Sequence, residues 1–501
     1  MKFLSFLKTV FLLSFPASVP VFSQNYEISV TLNSRNDTVI LGHYYTKRER
    51  TLANDTLVLK NGKGVFRGNK QLSKGVYFLY SGGRILDFII GDNLKFGIVA
   101  DTADFVNLTK FASSPENDVF YEFNRYNADR GRKFYELGEA YQKAGSDIEK
   151  NDIRTQQQAL INERMEFIEN LADTHRNLYV SKFLRSLVPQ NTRLPDPPRD
   201  DQGRITDSTY VYRWYRAHYF DNLNIYDPDM MRTPLYDENT GKIFEFMTRM
   251  IPQQTDTVCV ELDKILKKAQ ANDEVFKYIL ITVFNHYAGS KTLREGYLVP
   301  ENVKLHLAEK WYIPYATWST EEYIDWCKKE VAENKLNRMD MPAPPIEPMI
   351  ILPPEHFKAA ALDTAIKNDI YAGRVIQDFR KELKSKFTIL FFWDYTCGHC
   401  KSAIQELQNE WAELKNDDYQ IIAIQIVSTK EAKAKWIDFI NEHNMFDWIN
   451  AWVPYAYSAE NYYRETYNLS NVPKMYLLDE NYNIFLKNIN PEQLKDIIPK
   501  K

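Results

Sequence analysis

Cys397 and Cys400 stand three positions apart, separated by Gly398 and His399. Two thiols at this spacing suit reversible disulfide chemistry. A thiolate at the first attacks a disulfide, and the second, one helical turn further in, attacks the mixed disulfide and releases the product. This order makes Cys397 the expected attacking thiol and Cys400 the resolving thiol. An imidazole between them, His399, can stabilise the thiolate. The same residues also fit a structural disulfide or half of a zinc site. Zinc takes a second ligand pair. The chain has no second Cys-x-x-Cys; its other cysteines, Cys259 and Cys327, lie far upstream, and the remaining histidines are scattered singly.

The elements around the pair are legible. Phe387–Trp393 is a continuous apolar run, which reads as a buried strand. From Lys401 onward, Ile404, Leu407, Trp411 and Leu414 recur on one helical face. The thiols therefore sit at a strand-to-helix junction. There the unpaired backbone N–H groups and the helix dipole favour an anion. A buried-type strand follows over 419–427, then a helix near 431–444. Pro473 precedes a further strand over 474–479; a proline there cannot donate to the ladder and marks an edge or a turn. A strand over 483–487 and a short helix over 491–498 close the chain.

This succession, with a proline 73 residues after Cys400, resembles the thioredoxin superfamily, specifically the TlpA/ResA type within the AhpC/TSA-thioredoxin group. The resemblance implies an α/β thioredoxin-like fold over 355–501. It implies that Pro473 is cis and packs beside the active disulfide, with Val472 offering its backbone to a substrate strand. Gly398, His399 and Trp393 are the supporting residues. Protein disulfides would be the substrates and a cell-envelope redox protein the partner, with no cofactor. The sequence departs from the pattern in two places. Thr396 stands where thioredoxins usually carry tryptophan, and Phe391 where they often carry a buried acid; Asp394 reads as a solvated turn residue. The direction stays open. The architecture resembles the reducing branch, whereas the Gly-His pair matches isomerases and favours a better oxidant, of the DsbA kind at the extreme.

The N-terminus reads as a secretory signal over 1–23: Lys2 and Lys8, an apolar run from Thr9 to Phe15, then small residues to Ser23. The apolar stretch is too short, and too interrupted by Pro16 and Pro20, to span a membrane. The expectation is an exported protein of the periplasm or cell envelope. Net charge is −4, ordinary for such a protein and contrary to nucleic-acid binding. Four cysteines in 501 residues exclude a disulfide-built scaffold. Cys259 and Cys327 either pair after export or remain buried thiols.

That length suggests roughly two to four domains. Residues 24–116 show short strands punctuated by Asn61-Gly62, Gly82-Gly83 and Asp92-Asn93, an antiparallel sandwich or barrel. The echoes Asp55-Thr56, Gly64-Val65-Phe66, Val76-Tyr77 and Ser113 to Phe120 resemble a domain of unknown function that precedes exported thioredoxin-like domains in Bacteroidetes-type bacteria. Residues 117–338 read as mainly helical, with helices over 142–171, 274–287 and 320–334 and an irregular stretch over 189–203. Within it, His218-Tyr219-Phe220-Asp221, the run from Asp227 to Pro234 and Ile251-Pro252 resemble a second domain of unknown function in the same architecture. Asp221, Asp227 and Asp229 suit turns and N-caps more than a metal, and His218 a packed or surface role. Tyr210, Tyr212, Trp214, Tyr215, Tyr219 and Phe220 form either core packing or a contact surface. Residues 339–354, dense in proline, read as an extended connector. On this division the redox chemistry is self-contained, and removing residues 25–338 should leave reactivity toward a small disulfide. The rival expectation is a cell-envelope binding or assembly protein whose thioredoxin-like domain only docks.

Overall fold

A computed structural model describes residues 25–189, 194–290, 297–369, 371–414, 418–460 and 462–494. The expected signal segment, and the closing helix beyond residue 494, lie outside the described residues. The chain forms two compact units. One holds residues up to Met250 with Ala269–Val275; the other holds Ile251–Lys268 with Phe276 onward.

The first unit begins with eight strands: β1 (Tyr26–Asn33), β2 (Thr38–Tyr45), β3 (Lys47–Val58), β4 (Lys63–Gly68), β5 (Gly75–Ser81), β6 (Arg84–Ile90), β7 (Lys95–Asp101) and β8 (Lys110–Ala112). They make two four-stranded sheets, β4-β1-β7-β8 and β3-β2-β5-β6. Alternate side chains of each strand point to opposite faces. Ile28 and Val30 from one sheet therefore share a core with Val39, Leu79 and Phe88 from the other. This is the expected sandwich with one difference: β1 and β7 run parallel. A parallel pair needs a long crossover, and strands β2 to β6 supply it. β3 is longer than its sequence suggests. It is exposed at nearly every position and lies at a sheet edge, so no alternation betrays it. Its Lys47, Arg48 and Arg50 also guard that edge against stray pairing.

Helices α1 (Phe105–Leu108), α2 (Pro115–Lys143), α3 (Asp147–Thr174), α4 (Tyr179–Arg185), α5 (Tyr210–Ala217) and α6 (Tyr236–Arg249) follow. The helix expected over 142–171 is in fact broken before Asp147. Ser146 accepts from the Glu149 amide while Glu149 Oε2 accepts from the amides of Gly145 (2.9 Å) and Ser146 (3.1 Å), a capping box that starts α3. The motif from Ser113 to Phe120 has a physical role. Pro115 opens α2. Asn117 is buried and clamps β6, its Oδ1 accepting from Ile89 N (2.7 Å) and its Nδ2 donating to Ile89 O (2.8 Å). Glu116 accepts from the amides of Tyr179 (2.9 Å) and Val180 (2.8 Å), the first residues of α4, whose donors have no partner within the helix. Glu116→Ala is therefore expected to cost about 2–3 kcal/mol in urea unfolding of the full chain, with Glu116→Gln intermediate. An unchanged midpoint for the alanine variant would show that the α4 amides do not need this carboxylate.

The second unit carries helices and then a sheet, with only Ala269 of α7 and Asp273–Val275 of α8 falling in the first unit. α7 (Thr255–Ala269), α8 (Asp273–Ala288), α9 (Pro300–Leu307), α10 (Ile313–Tyr315) and α11 (Glu321–Asn334) come first. The sheet and its helices follow as β9 (Met349–Leu352), α12 (Pro354–Leu362), α13 (Thr364–Asn368), β10 (Arg374–Ile376), α14 (Phe379–Glu382), β11 (Phe387–Trp393), α15 (Gly398–Leu414), β12 (Tyr419–Gln425), α16 (Lys430–Glu442), β13 (Ile449–Trp452), α17 (Tyr455–Glu460), α18 (Tyr463–Thr466), β14 (Lys474–Leu478) and β15 (Ile484–Lys487). The seven strands lie in the order β10-β9-β13-β12-β11-β14-β15. β11, β12 and β13 are parallel, and β14 runs antiparallel beside β11.

The proline-rich stretch over 339–354 differs from a free connector. Between the turn at Met339-Asp340 and the start of α12 at Pro354 its residues are largely extended, as proline favours, but they belong to the fold. Ala343 N donates to Tyr482 O (2.8 Å) and Ile484 N to Met341 O (2.9 Å), and Met349 and Ile350 enter the sheet as buried members of β9. The helices before it are joined to the sheet as well. Lys487 of β15, whose side chain is 3% exposed, pairs with Glu301 of α9 at 3.1 Å. Its Nζ donates to Asn334 Oδ1 (2.6 Å) and Asn337 Oδ1 (3.2 Å), at the end of α11. Val299 shares the sheet's core cluster.

Candidate active site

β11 is buried along almost its whole length because helices cover its sheet. The apolar run stops at Trp393, and the chain turns. Asp394 Oδ1 accepts from Thr396 N (2.9 Å) and Asp394 O from Cys397 N (3.1 Å). α15 begins at Gly398. Cys397 is thus its N-cap, and Cys400 its third residue. Sulfur takes the part that a serine or threonine oxygen plays at other N-caps: Cys397 Sγ accepts from Cys400 N at 3.3 Å. The two-residue spacer is the distance at which an N-cap side chain meets the third helical amide. That amide, with the helix dipole behind it, would support negative charge on the sulfur.

The two thiols lie in unlike surroundings. Cys397 is half-buried, and its Sγ donates to Val472 O at 3.5 Å. The Val472–Pro473 peptide bond is cis, as the resemblance implies, and the segment stands against the attacking sulfur. Cys400 is 0% exposed. Burial, and then the hydrogen bond to Cys397, push its thiol up to about 12. Cys259 and Cys327 are buried free thiols; burial pushes Cys259 up to about 12 as well, and Cys327 upward.

The supporting residues divide. Gly398 and His399 are exposed beside Cys397, and a Cβ on Gly398 would meet nothing within 4 Å. Trp393 is brought into the core, not to the thiols; it is fully buried with its ring 5.1 Å from Phe439. Phe391 is likewise core, 6.3 Å from Trp448. Asp394 holds its own turn, and its charge also acts on Cys400, helping to keep that thiol protonated. Upstream, Asp227 binds Lys182 at 2.6 Å and caps the turn at Asp229, while Asp221 pairs with His218 at 2.7 Å. Among the described residues no group of three or more such side chains is placed to hold a metal. In the aromatic stretch, Tyr219 is core, packed on Phe220 and Phe246, whereas Tyr212 is exposed. Sequence reasoning placed Cys397 at the helix start but did not name the bond from Cys400 N to its sulfur, for which the spacing itself was the signal. It also missed the polar side chains that hold the Val472 segment, for which no local signal exists.

Residues 385–484 match a family model described as thioredoxin-like. No curated protein matches the chain. Among solved structures, a thioredoxin-like protein from Bacteroides caccae is 16% identical, covering 61% of this chain and 96% of its own, with a TM-score of 0.35. A domain of a possible thiol-disulfide isomerase from Cytophaga hutchinsonii is 27% identical, covering 26% and 83%, with a TM-score of 0.21. StoA from Bacillus subtilis is 22% identical over 25% and 90%, with a TM-score of 0.20. The C-terminal domain of this chain is thioredoxin-like.

Proposed function

We propose that the chain is a thiol-disulfide oxidoreductase of the cell envelope that reduces or isomerises protein disulfides. The observation that carries this reading is the asymmetry of the two sulfurs. One is accessible and capped by a helix amide; the other is buried and protonated beside it. Cys397 thiolate attacks a substrate disulfide, forming a mixed disulfide and releasing one substrate thiolate, which takes a proton from solvent. Cys397 then no longer carries charge, so the part of the Cys400 elevation that comes from its neighbour disappears. Cys400 gives up its proton and attacks Cys397 Sγ. The internal disulfide forms and the second substrate thiol leaves. The substrate gains two electrons and the protein loses two; a dithiol protein of the same compartment restores the reduced pair. His399 is proposed to stabilise the Cys397 thiolate, and Val472 with Pro473 to receive the substrate backbone. Export rests on the lysine-flanked apolar N-terminus; among the described residues no helix is long and apolar enough to cross a membrane.

Cys400→Ser should accumulate mixed disulfides with protein substrates, visible on non-reducing gels, while Cys397→Ser forms none. A Cys400→Ser variant that traps nothing from oxidised cell-envelope extract would count against the mechanism. Trapped partners would also name the substrate. Direction is read from the equilibrium with glutathione: a potential near about −120 mV, the strong-oxidant end of the range, would remove the reductase version. The apolar Phe391, where thioredoxins often carry a buried acid, and Thr396, where they usually carry tryptophan, favour a rival: a cell-envelope binding or assembly protein whose thioredoxin-like domain only docks. Failure of the folded full chain to reduce insulin disulfides would favour that rival.

A further inference from the structure

The segment that carries Val472 and Pro473 is held by the end of α11 and the bend that follows it. Asn337 is 2% exposed and works in two directions. Its Oδ1 accepts from Lys487 Nζ (3.2 Å), and its Nδ2 donates to Thr466 O (3.0 Å). Two residues further on, Asn468 Nδ2 donates to Glu333 Oε2 (3.4 Å). Lys474, the residue after Pro473, closes the loop by donating from Nζ to Asn468 O. Burial lowers the Lys474 pKa, while the Glu333 carboxylate acts to raise it. The stretch 466–474 is therefore tied at Thr466 to the bend just after α11, at Asn468 to α11 itself, and to its own far end through Lys474. The same stretch presents Val472 O to Cys397 Sγ at 3.5 Å.

We propose that Asn337 and Glu333 are positioning residues for the substrate-binding segment, so that α11, upstream of the thioredoxin-like domain, sets how tightly a polypeptide disulfide is held. This rests on the oxidoreductase reading above. A polypeptide that pairs with the Val472 backbone needs that backbone in place before it arrives. A small disulfide needs only the sulfur. Loosening the tie therefore weakens binding of a polypeptide and leaves the chemistry of the thiols alone. A side chain that merely stabilised the fold would instead move every readout together.

Asn337→Asp isolates the effect. It keeps an acceptor for Lys487 and removes the donor to Thr466 O, turning a bond into a repulsion. In the full chain, the expected result is a KM for insulin about tenfold higher, with kcat, the rate of reduction of hydroxyethyl disulfide and the iodoacetamide rate of Cys397 unchanged. Glu333→Ala, at a half-exposed position, should shift the same KM in the same direction and serves if Asn337→Asp does not fold. Parental KM in a folded variant overturns the proposal. So does a parallel loss of insulin turnover, small-disulfide turnover and alkylation. If the parent chain itself reduces neither substrate, the oxidoreductase reading fails instead, and the two failures are told apart by that control.

Discussion

Iodoacetamide at neutral pH is expected to modify Cys397 alone, one site in a chain that carries four cysteines. The thiolate is the reacting species, and the structure withholds it from the other three. Cys400 is fully buried and its thiol is pushed up to about 12, first by burial. Against an ordinary thiol near 8.5, its thiolate at pH 7 is scarcer by roughly three orders of magnitude. Cys259 is pushed to about 12 and Cys327 upward, both by burial. Cys397 is the thiol that reaches solvent, with the Cys400 amide aimed at its sulfur. Mass spectrometry after brief labelling reads the result directly, and labelling in guanidinium should recover all four. The pH dependence has a definite sign. The native state retains the Cys400 proton that the unfolded chain releases from about pH 8.5. Stability of the dithiol form therefore falls as pH rises from there toward 12, relative to Cys400→Ser. Preferential labelling of Cys400 at pH 7 would reverse the roles of the two sulfurs.

What the sequence disclosed and what it hid follow from the range of the interactions. The Cys-x-x-Cys site is local: strand end, turn, N-cap and third helical residue lie in one run of chain, so spacing alone places the thiols. β11 is covered on both faces and shows as an unbroken apolar run. β13 does not show, because Asn450 sits buried in its middle. Its Nδ2 is satisfied by Met445 O (2.6 Å) and Trp448 O (3.3 Å), which no pattern of hydrophobicity records. β9 hid among prolines whose density signals extension but not burial. The start of α3 was readable, since Ser146 and Glu149 have the capping-box spacing; the helical charge pattern on either side obscured it. Asn337 and Lys487 carried no signal at all. A lysine near the end of the last strand reads as a solvated end, and only the return of α9 and α11 to that strand makes it a buried charge.

That return of α9 and α11 determines what a truncated protein can do. A fragment beginning at Met341 is expected to be unstable, contrary to the self-contained domain that the sequence suggests, since it lacks Val299 and Met339 of the sheet's core as well as Glu301, Asn334 and Asn337. The charge itself is tested with the burying helices in place. Glu301→Leu in the full chain takes the opposite charge from Lys487 and leaves it buried. Stripping one side from a buried ion pair costs about 3–5 kcal/mol, a large share of the roughly 5–15 kcal/mol that holds a domain folded. Lys487 can escape partly by losing its proton. Burial already lowers its pKa, and Glu301 is the charge that opposes the shift, so the substitution removes what keeps the amine protonated. The Glu301→Leu chain should accordingly gain stability as pH rises, the sense expected when the unfolded state binds the proton that the native state cannot hold. Adding Lys487→Met should recover most of the loss and abolish that pH dependence, because an apolar side chain of similar volume needs no partner. Equal urea midpoints for the single and double variants at pH 7 would show that Lys487 does not depend on Glu301. The same reasoning governs how catalysis is tested: an inactive Met341 fragment reports lost packing and lost partners, so only the full chain separates an oxidoreductase from a docking module.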